Sequence, residues 1–188
     1  MCTVDPESAR AAVTASIARL AAAHPHLVQD PSAQPALTGC ADVEWSAIPG
    51  CPDGVPVVLR GLADADAAEE ADSVLDRLVM SGPMSISAVM PAVVPFLLRL
   101  AVDPSVPRRT ELLGMLFIAA ALSEPVAPGS GWAVAHGLDE DHPERTLCRA
   151  AFAADPVLVR QLLADQELLA RASLDDGDRD SLAAAAGL

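Results

Sequence analysis

Apolar residues recur at intervals of three and four along most of this chain, which is the spacing of a helix with one buried face. A first helix is predicted over 5–23, with Asp5 as its N-cap and Pro6 at its first helical position. Residues 25–54 are rich in proline and lack this spacing, so they predict a long strap loop. The helical spacing resumes at residue 55, and the alternating runs typical of strands are absent from the sequence. The pattern therefore predicts an all-α fold.

From residue 55 onward, the pattern indicates helices in consecutive pairs joined by short turns. In chain order, the predicted segments are two helices over 55–82 joined near Asp64, one helix over 83–103 kinked at Pro91 or Pro95, its partner starting at Pro107, a second long loop over 124–141, a last pair between Pro143 and residue 171, and a tail or short helix over 172–188. A chain of 188 residues has the usual size of one domain, so residues 1–188 are predicted to form a single domain.

One helix–turn–helix joint occurs twice in the sequence, at a distance of 39 residues. In each copy a proline is followed by an arginine four residues later and by an aspartate eight residues later. The two sets are Pro56, Arg60 and Asp64, and Pro95, Arg99 and Asp103. A period near forty residues built from helix pairs is typical of HEAT and armadillo solenoids, in which stacked pairs bury the apolar face that one pair leaves exposed.

The second joint resembles the HEAT repeat, with its kinked first helix, its turn aspartate and an arginine of the second helix. The matching residues are Pro95, Leu97, Leu98, Asp103, and Arg108 or Arg109. Over 55–171 the chain is similar to HEAT-repeat proteins, and its segment VEWSAIPG followed by VPVVLRGLA resembles uncharacterised HEAT-like proteins of GC-rich bacteria. The resemblance implies a short HEAT- or armadillo-like α-solenoid of about three helix pairs, preceded by the N-terminal helix and the strap loop.

The sequence departs from the repeat pattern at two places, since the first joint has no arginine after Asp64 and the third pair carries the long loop 124–141. At the second joint two arginines are adjacent. Arg108 matches Arg160, because both stand five residues after an aspartate. Arg108 is therefore predicted to pack back toward the turn, and Arg109 to face solvent.

The amino-acid composition argues against several classes of function. The chain has no lysine, tyrosine or asparagine, and all twelve basic residues are arginine. Without lysine there is no Schiff-base chemistry and no phosphate-loop lysine. A formal net charge of −14 opposes binding to nucleic acid and to anionic membranes, whereas it favours a basic protein partner.

The sequence contains no segment with the length and composition of a membrane span. Its longest uncharged apolar run, 112–122, is bracketed by Glu111 and Glu124 and is too short to cross a bilayer. The start of the chain, MCTVDPES, lacks the basic and apolar regions of a signal peptide. We therefore expect a cytoplasmic protein whose four cysteines are thiols.

The spacing of histidines and cysteines does not predict a metal centre. His24, His26, Cys40 and Cys51 could be combined into a zinc site, but their spacing matches no zinc finger or ribbon. Buried small thiols and surface histidines explain these residues more simply. No metal and no cofactor are expected.

Both tryptophans lie in the two long loops, Trp45 in the strap and Trp132 in 124–141. Loops held by a rigid scaffold are where binding and catalytic residues concentrate, although a tryptophan can also pin its loop to the scaffold. In the second loop, Asp141 is predicted to cap the helix that Pro143 begins. Capping does not account for His136, which is therefore the first candidate for a ligand-binding or catalytic residue.

Two functions of different classes remain open. The favoured one is a non-catalytic protein-binding module, of the immunity or regulatory type, that uses a concave helical face together with Trp45, Trp132 and His136. The alternative is a small enzyme or ligand-binding protein acting on a small organic metabolite in a pocket under the 124–141 loop. In that protein His136 and Glu44 would supply acid–base chemistry, and the tryptophans would line the pocket.

Overall fold

A computed structural model of the 188-residue chain describes residues 6–29, 34–82 and 84–188. The described elements are α1 (Pro6–Ala23), α2 (His26–Gln29), α3 (Val55–Ala63), α4 (Ala68–Val79), β1 (Met80–Gly82), β2 (Ser85–Ile86), α5 (Met90–Val102), α6 (Arg109–Leu122), α7 (Gly131–His136), α8 (Pro143–Ala153), α9 (Pro156–Ala164), α10 (Gln166–Ala172) and α11 (Asp176–Ala185). The fold is predominantly helical, as predicted. Asp5, the predicted N-cap, lies outside the described residues.

A small hairpin corrects the prediction that the chain has no strand. β1 and β2 pair antiparallel, with Met80 opposite Ile86 and Gly82 opposite Ser85. The sequence pattern predicts these residues at the ends of two helices, over 55–82 and 83–103. Glycine followed by proline disfavours a continuous helix and favours a turn, and the Ser87 hydroxyl donates to the Leu78 carbonyl at 2.8 Å, where α4 ends.

The predicted strap is compact rather than extended. Besides α2, its described part forms three short 3₁₀ turns, at Pro35–Leu37, Cys40–Asp42 and Trp45–Ala47. Arg99 of α5 donates to the Thr38 carbonyl at 2.8 Å. The strap is thereby tied by a direct hydrogen bond to a central helix.

The arginines of the two repeated joints make the same contact. Arg60 Nε donates to the Pro56 carbonyl at 3.0 Å, and Arg99 Nε donates to the Pro95 carbonyl at 3.0 Å. The prolines differ in position, because Pro56 lies in the first turn of α3 whereas Pro95 lies inside α5. The second joint thus keeps the local geometry of the first on a longer helix.

The aspartates of the two joints also match. Each ends a helix in extended backbone geometry, and each accepts a hydrogen bond from the backbone N–H two residues later. Asp66 N donates to Asp64 Oδ1 at 3.0 Å, and Ser105 N donates to Asp103 Oδ1 at 2.9 Å. The sequence repeat therefore corresponds to a repeated local structure, made by interactions between residues close in the chain.

The predicted roles of the adjacent arginines are wrong. Arg109 Nε donates to the Ala101 carbonyl at 2.7 Å, and its Nη2 lies 2.9 Å from Asp165. Arg108 instead pairs with Asp72 of α4 at 3.1 Å. Since α6 begins at Arg109, two residues later than predicted, it is Arg109 that faces the end of α5.

The last predicted pair consists of three helices, because its second helix is interrupted at Asp165, between α9 and α10. The Asp165 carboxylate caps α10 by accepting from Leu168 N at 3.0 Å. The final segment, predicted to be a tail or a short helix, is the helix α11, which starts at a capping box formed by Asp175 and Asp178. α11 packs against α6 and buries Leu182 completely.

Two central helices organise the core. α5 packs against α3, α6, α8 and α9, and α6 packs against α4, α5, α10 and α11. Leu97, Leu98 and Leu100 of α5 have no exposed side-chain surface. This arrangement leaves one long side of α6 facing outward, next to the hairpin and the 124–141 loop.

Candidate functional site

The outward side of α6 is apolar. A helix at a protein surface normally carries polar residues on its outer face, and a helix that is apolar all round is normally buried. On α6 the outer face presents Gly114, Met115, Ile118 and Ala121, and the Ile118 side chain is 46% exposed. Glu111, in the first turn, is the only acidic or basic residue of α6 beyond Arg109. This face has the chemistry of an interface.

Two adjoining cavities, of about 620 and 490 Å³, follow this face of α6. They share Met84, Ala121 and Leu122, so they form one continuous depression. This surface is named the α6 groove, and its lining residues are Asp76, Arg77, Met80, Ser81, Gly82, Met84, Ile118, Ala121, Leu122, Glu124, Pro125, Val126, Ala127, Ser130 and Trp132. Its walls come from the end of α4, from the hairpin and from the second long loop.

Few charged side chains line the α6 groove, and they differ in whether they form hydrogen bonds. Asp76 is exposed, and its carboxylate forms no hydrogen bond or ion pair with any described residue. Arg77 is tied down, since its Nε donates to the Ser73 carbonyl at 3.1 Å and its Nη1 to Ser16 Oγ at 3.2 Å. At the other end, Glu124 accepts from a serine hydroxyl of α11 at 2.6 Å. The groove therefore combines an apolar floor with one free carboxylate.

Trp132 stands at one end of the α6 groove, on the short helix α7. Ser130 caps α7 by accepting from Ala133 N at 3.1 Å. The Trp132 side chain is 37% exposed, and its ring centroid lies 4.2 Å from that of His136 at a tilt of 38°. Both ring residues belong to α7, so their contact does not attach the helix to the rest of the fold.

A buried arginine attaches α7 to the fold. Arg145 of α8 is 4% exposed, and it donates to the carbonyls of His136 at 2.8 Å and Gly137 at 3.2 Å. Asp139 lies beside it and accepts from Arg149 at 2.8 Å. Both arginines stand one turn apart on α8. The sequence analysis does not predict this network. The available signal was a pair of arginines four residues apart, which follows an acidic segment and so places two cations on one face of α8.

The predicted cap of α8 is wrong. The Asp141 carboxylate accepts from Leu138 N at 3.1 Å, inside its own loop. Pro143 occupies the first turn of α8, so His142 is the residue in the capping position, and its side chain makes no cap. His142 Nδ1 instead lies 2.9 Å from Glu144 Oε1. The acidic residues of this loop therefore organise the loop rather than the helix.

Trp45 has the contacts of an anchor. Its indole N–H donates to the Cys40 carbonyl at 3.0 Å, and its ring packs against Phe96 of α5 at 6.2 Å between centroids. Glu44, the neighbouring candidate, is exposed, and its carboxylate forms no hydrogen bond or ion pair within the described part of the chain. These contacts hold the strap on the helices.

The residues proposed for the acid–base site lie in two separate parts of the fold. Trp132 and His136 are in contact on α7, whereas Trp45 packs on α5 and Glu44 extends into solvent beside it. Across residues 6–29, 34–82 and 84–188, no carboxylate is hydrogen-bonded to His136. Among the residues that the structure describes, the His136 imidazole therefore has no carboxylate partner of the kind that orients a general base.

The two histidines of the possible zinc set each lie beside a carboxylate. His26 Nε2 lies 2.8 Å from Asp64, and His24 Nε2 lies 3.7 Å from Glu70. No cluster of three or more metal-type side chains occurs among the residues that the structure describes. Within the same residues, no helix combines the length and the apolar character needed to cross a membrane.

The described cysteines are buried free thiols, namely Cys40, Cys51 and Cys148. Burial raises the pKa of the Cys51 thiol to about 11, and burial raises that of Cys148 to about 12. Such thiols are protonated at neutral pH and are poor nucleophiles. They contribute to the core.

Comparison of the chain with protein-family models, with curated proteins and with solved structures found no match.

Proposed function

We propose that this protein is a non-catalytic protein-binding module that docks a partner protein in the α6 groove. The apolar outer face of α6 carries the proposal, because Ile118 and its neighbours occupy positions where a surface helix would place polar residues. Trp132 at the end of the groove adds a large, partly exposed ring of the kind that dominates interface energetics. Trp45 is assigned the separate role of fastening the strap.

A HEAT-like architecture is part of this proposal. The matched joints at Asp64 and Asp103 support it, since both copies keep the same arginine and aspartate hydrogen bonds. In a solenoid of helix pairs, α4 and α6 would be the second helices of consecutive pairs, and these helices supply one wall and the floor of the groove. Extended concave surfaces of this kind are how solenoids bind partners. A single domain, a cytoplasmic location and a regulatory or immunity role belong to the same proposal.

The test compares variants that differ only in the groove. The wild type, Ile118→Asp and Trp132→Ala would each be used as bait to capture cross-linked partners from the source cell. Val157→Asp is the matched control, because Val157 is a 55% exposed aliphatic residue on α9, away from the groove lining.

We expect one protein to be enriched by the wild type and by Val157→Asp, and to be lost with both groove variants. A His136→Ala variant should retain that protein. Capture that survives Ile118→Asp, or the absence of any protein lost with both groove variants, would contradict the proposal.

A further inference from the structure

We infer that the occupant of the α6 groove is an amphipathic helix of the partner, with two apolar side chains one turn apart and arginine or lysine beside them. This inference rests on the proposed function, and it adds the chemistry of the partner segment. It is carried by the shape of the α6 face and by the charges around it.

The spacing of the α6 face matches a helix. Its outward apolar positions Gly114, Ile118 and Ala121 follow each other at intervals of four and three residues, so they form a ridge along the helix axis, with the half-buried Met115 beside it. Gly114 lies one turn before Ile118, just outside the residues that line the α6 groove, and it leaves a notch at this end of the ridge, since a Cβ placed there would meet no heavy atom within 4 Å. One side chain of a parallel-lying helix fits the notch, and the next, one turn along, reaches the wider space beside Ile118 and Met84.

The hairpin at the groove is a poor template for strand addition. β1 has three residues and β2 has two, so an added peptide strand would gain few backbone hydrogen bonds. Ser81 Oγ, moreover, is engaged within the hairpin with the carbonyls of Ser85 and Ile86, each at 3.2 Å. A helix laid along α6 uses the apolar floor and needs no strand edge.

The charges select a basic partner. Asp76 is free and exposed in the groove lining, and Glu124 lies at the other end, so a cation at each side of an apolar helix face has a carboxylate to meet. The one lining cation, Arg77, is already hydrogen-bonded to Ser73 and Ser16. A second copy of this chain is disfavoured as the occupant, because each copy carries a net charge of −14.

The experiment uses two synthetic helical peptides as probes, with the same pair of leucines one turn apart and with either arginine or glutamate beside them. Binding to the full chain would be measured by fluorescence anisotropy at low and high salt. We expect the arginine peptide to bind at least about tenfold more tightly than the glutamate peptide, with a preference that shrinks as salt rises.

Three variants locate the binding. Gly114→Leu fills the notch and favours the helical state of α6, so it should weaken the arginine peptide by about tenfold without unfolding the protein. Asp76→Arg should weaken the arginine peptide by roughly three- to tenfold and strengthen the glutamate peptide. Asp42→Arg, at an exposed position in the strap, changes the net charge equally and should have little effect.

Each outcome decides the inference. Equal binding of the two peptides, or equal effects of Asp76→Arg and Asp42→Arg, would overturn the assigned partner chemistry. Failure of both peptides to bind would also overturn the inference. If capture of a natural partner still depends on Ile118 in that case, the proposed function stands. Tight binding that Gly114→Leu leaves unchanged would place the helix elsewhere and overturn the inference.

Discussion

Each of the two long loops carries one tryptophan, but the fold uses the two tryptophans differently. Trp45 turns inward, donates its N–H to the Cys40 carbonyl and packs on Phe96. Trp132 turns toward the α6 groove, and its ring contact is with His136 of its own helix. The comparison shows that a loop tryptophan has no fixed role, because the neighbours supplied by the fold decide whether it fastens the loop or stays available.

The two loops also differ in the part of the chain that attaches them. In the strap the Trp45 side chain itself makes contact with α5, whereas α7 is attached through its backbone, by Arg145 binding the carbonyls of His136 and Gly137. Attachment through backbone atoms leaves the side chains of α7 free. An interface element benefits from this arrangement, since it is positioned without losing its contact surface.

The largest expected difference is in stability. Trp45→Ala should lower the free energy of unfolding by about 2–4 kcal/mol, because it removes a packed ring and a hydrogen bond. Trp132→Ala should lower it by less than about 1 kcal/mol, because its side chain is 37% exposed and its ring contact is with His136 of the same short helix. Urea unfolding followed by far-ultraviolet circular dichroism measures both. Similar losses at the two positions would remove the distinction between the loops.

Removal of Arg145 should detach α7. Arg145→Ala leaves two carbonyls at a buried position without their donor, so we expect a loss of about 2 kcal/mol in the free energy of unfolding. The emission of Trp132 should shift to longer wavelength in a Trp45→Phe background, where it is the remaining tryptophan. Arg171→Ala is the control, since Arg171 is 66% exposed and pairs within its own helix, and its loss should cost less than about 0.5 kcal/mol. An unchanged emission in Arg145→Ala would mean that other contacts hold α7.

Alkaline pH should loosen the strap before it affects α7. Burial raises the pKa of Cys51 from 9.0 to about 11, so the native state keeps the thiol protonated while the unfolded chain ionises. The stabilisation from this thiol is present below pH 9 and is lost as pH rises toward 11, at about 1.4 kcal/mol per pH unit. The chain has no lysine or tyrosine to titrate in this range, and α7 has no cysteine.

Two single-tryptophan variants read out this difference. With Trp132→Phe, the emission of Trp45 should change between pH 9 and 11, whereas with Trp45→Phe the emission of Trp132 should stay constant until the whole protein unfolds. Cys51→Ala should reduce the alkaline slope of the unfolding free energy without abolishing it, because burial also raises the pKa of Cys40 and that of Cys148, the latter to about 12. An alkaline slope as steep in Cys51→Ala as in the wild type would assign the effect to those other thiols.

The smallest expected effect is at His136. His136→Ala removes one ring contact on α7, so stability should fall by about 0.5 kcal/mol and partner binding should change little. Trp132→Ala, by contrast, should cost roughly 2 kcal/mol or more of binding free energy. Isothermal titration calorimetry with the captured partner compares the two. A larger loss of affinity for His136→Ala than for Trp132→Ala would make the histidine the recognition residue.

The parts of the fold that the sequence predicted well depend on residues close together in the chain. The joint at Asp64 was recognisable because Arg60 reaches the carbonyl four residues back and Asp64 caps the N–H two residues on. The sequence assigns Arg108 and Arg109 the wrong way round because their carboxylate partners, Asp72 of α4 and Asp165 at the N-cap of α10, are 36 and 56 residues away. The hairpin was missed because its turn interrupts a helical pattern over only a few residues.

In the candidate site, too, the sequence predicts what depends on nearby residues and misses what depends on distant ones. Trp132 and His136 were identified from their place in a polar, glycine-containing loop, but the apolar run of α6 was interpreted only as too short for a membrane. Nothing in that run distinguishes the face that packs on α5 and α11 from the face that stays open, since both are apolar.

What the sequence determined by itself is the helical character, the repeated joint, the acidic charge and the absence of lysine chemistry, because each follows from composition or from neighbours along the chain. What only the tertiary structure decided is which apolar surface stays exposed, and which tryptophan packs against a distant helix such as α5. Burial is a property of the whole arrangement of helices, so Ile118 becomes a docking candidate and Leu97 a core residue only when their neighbours are in place.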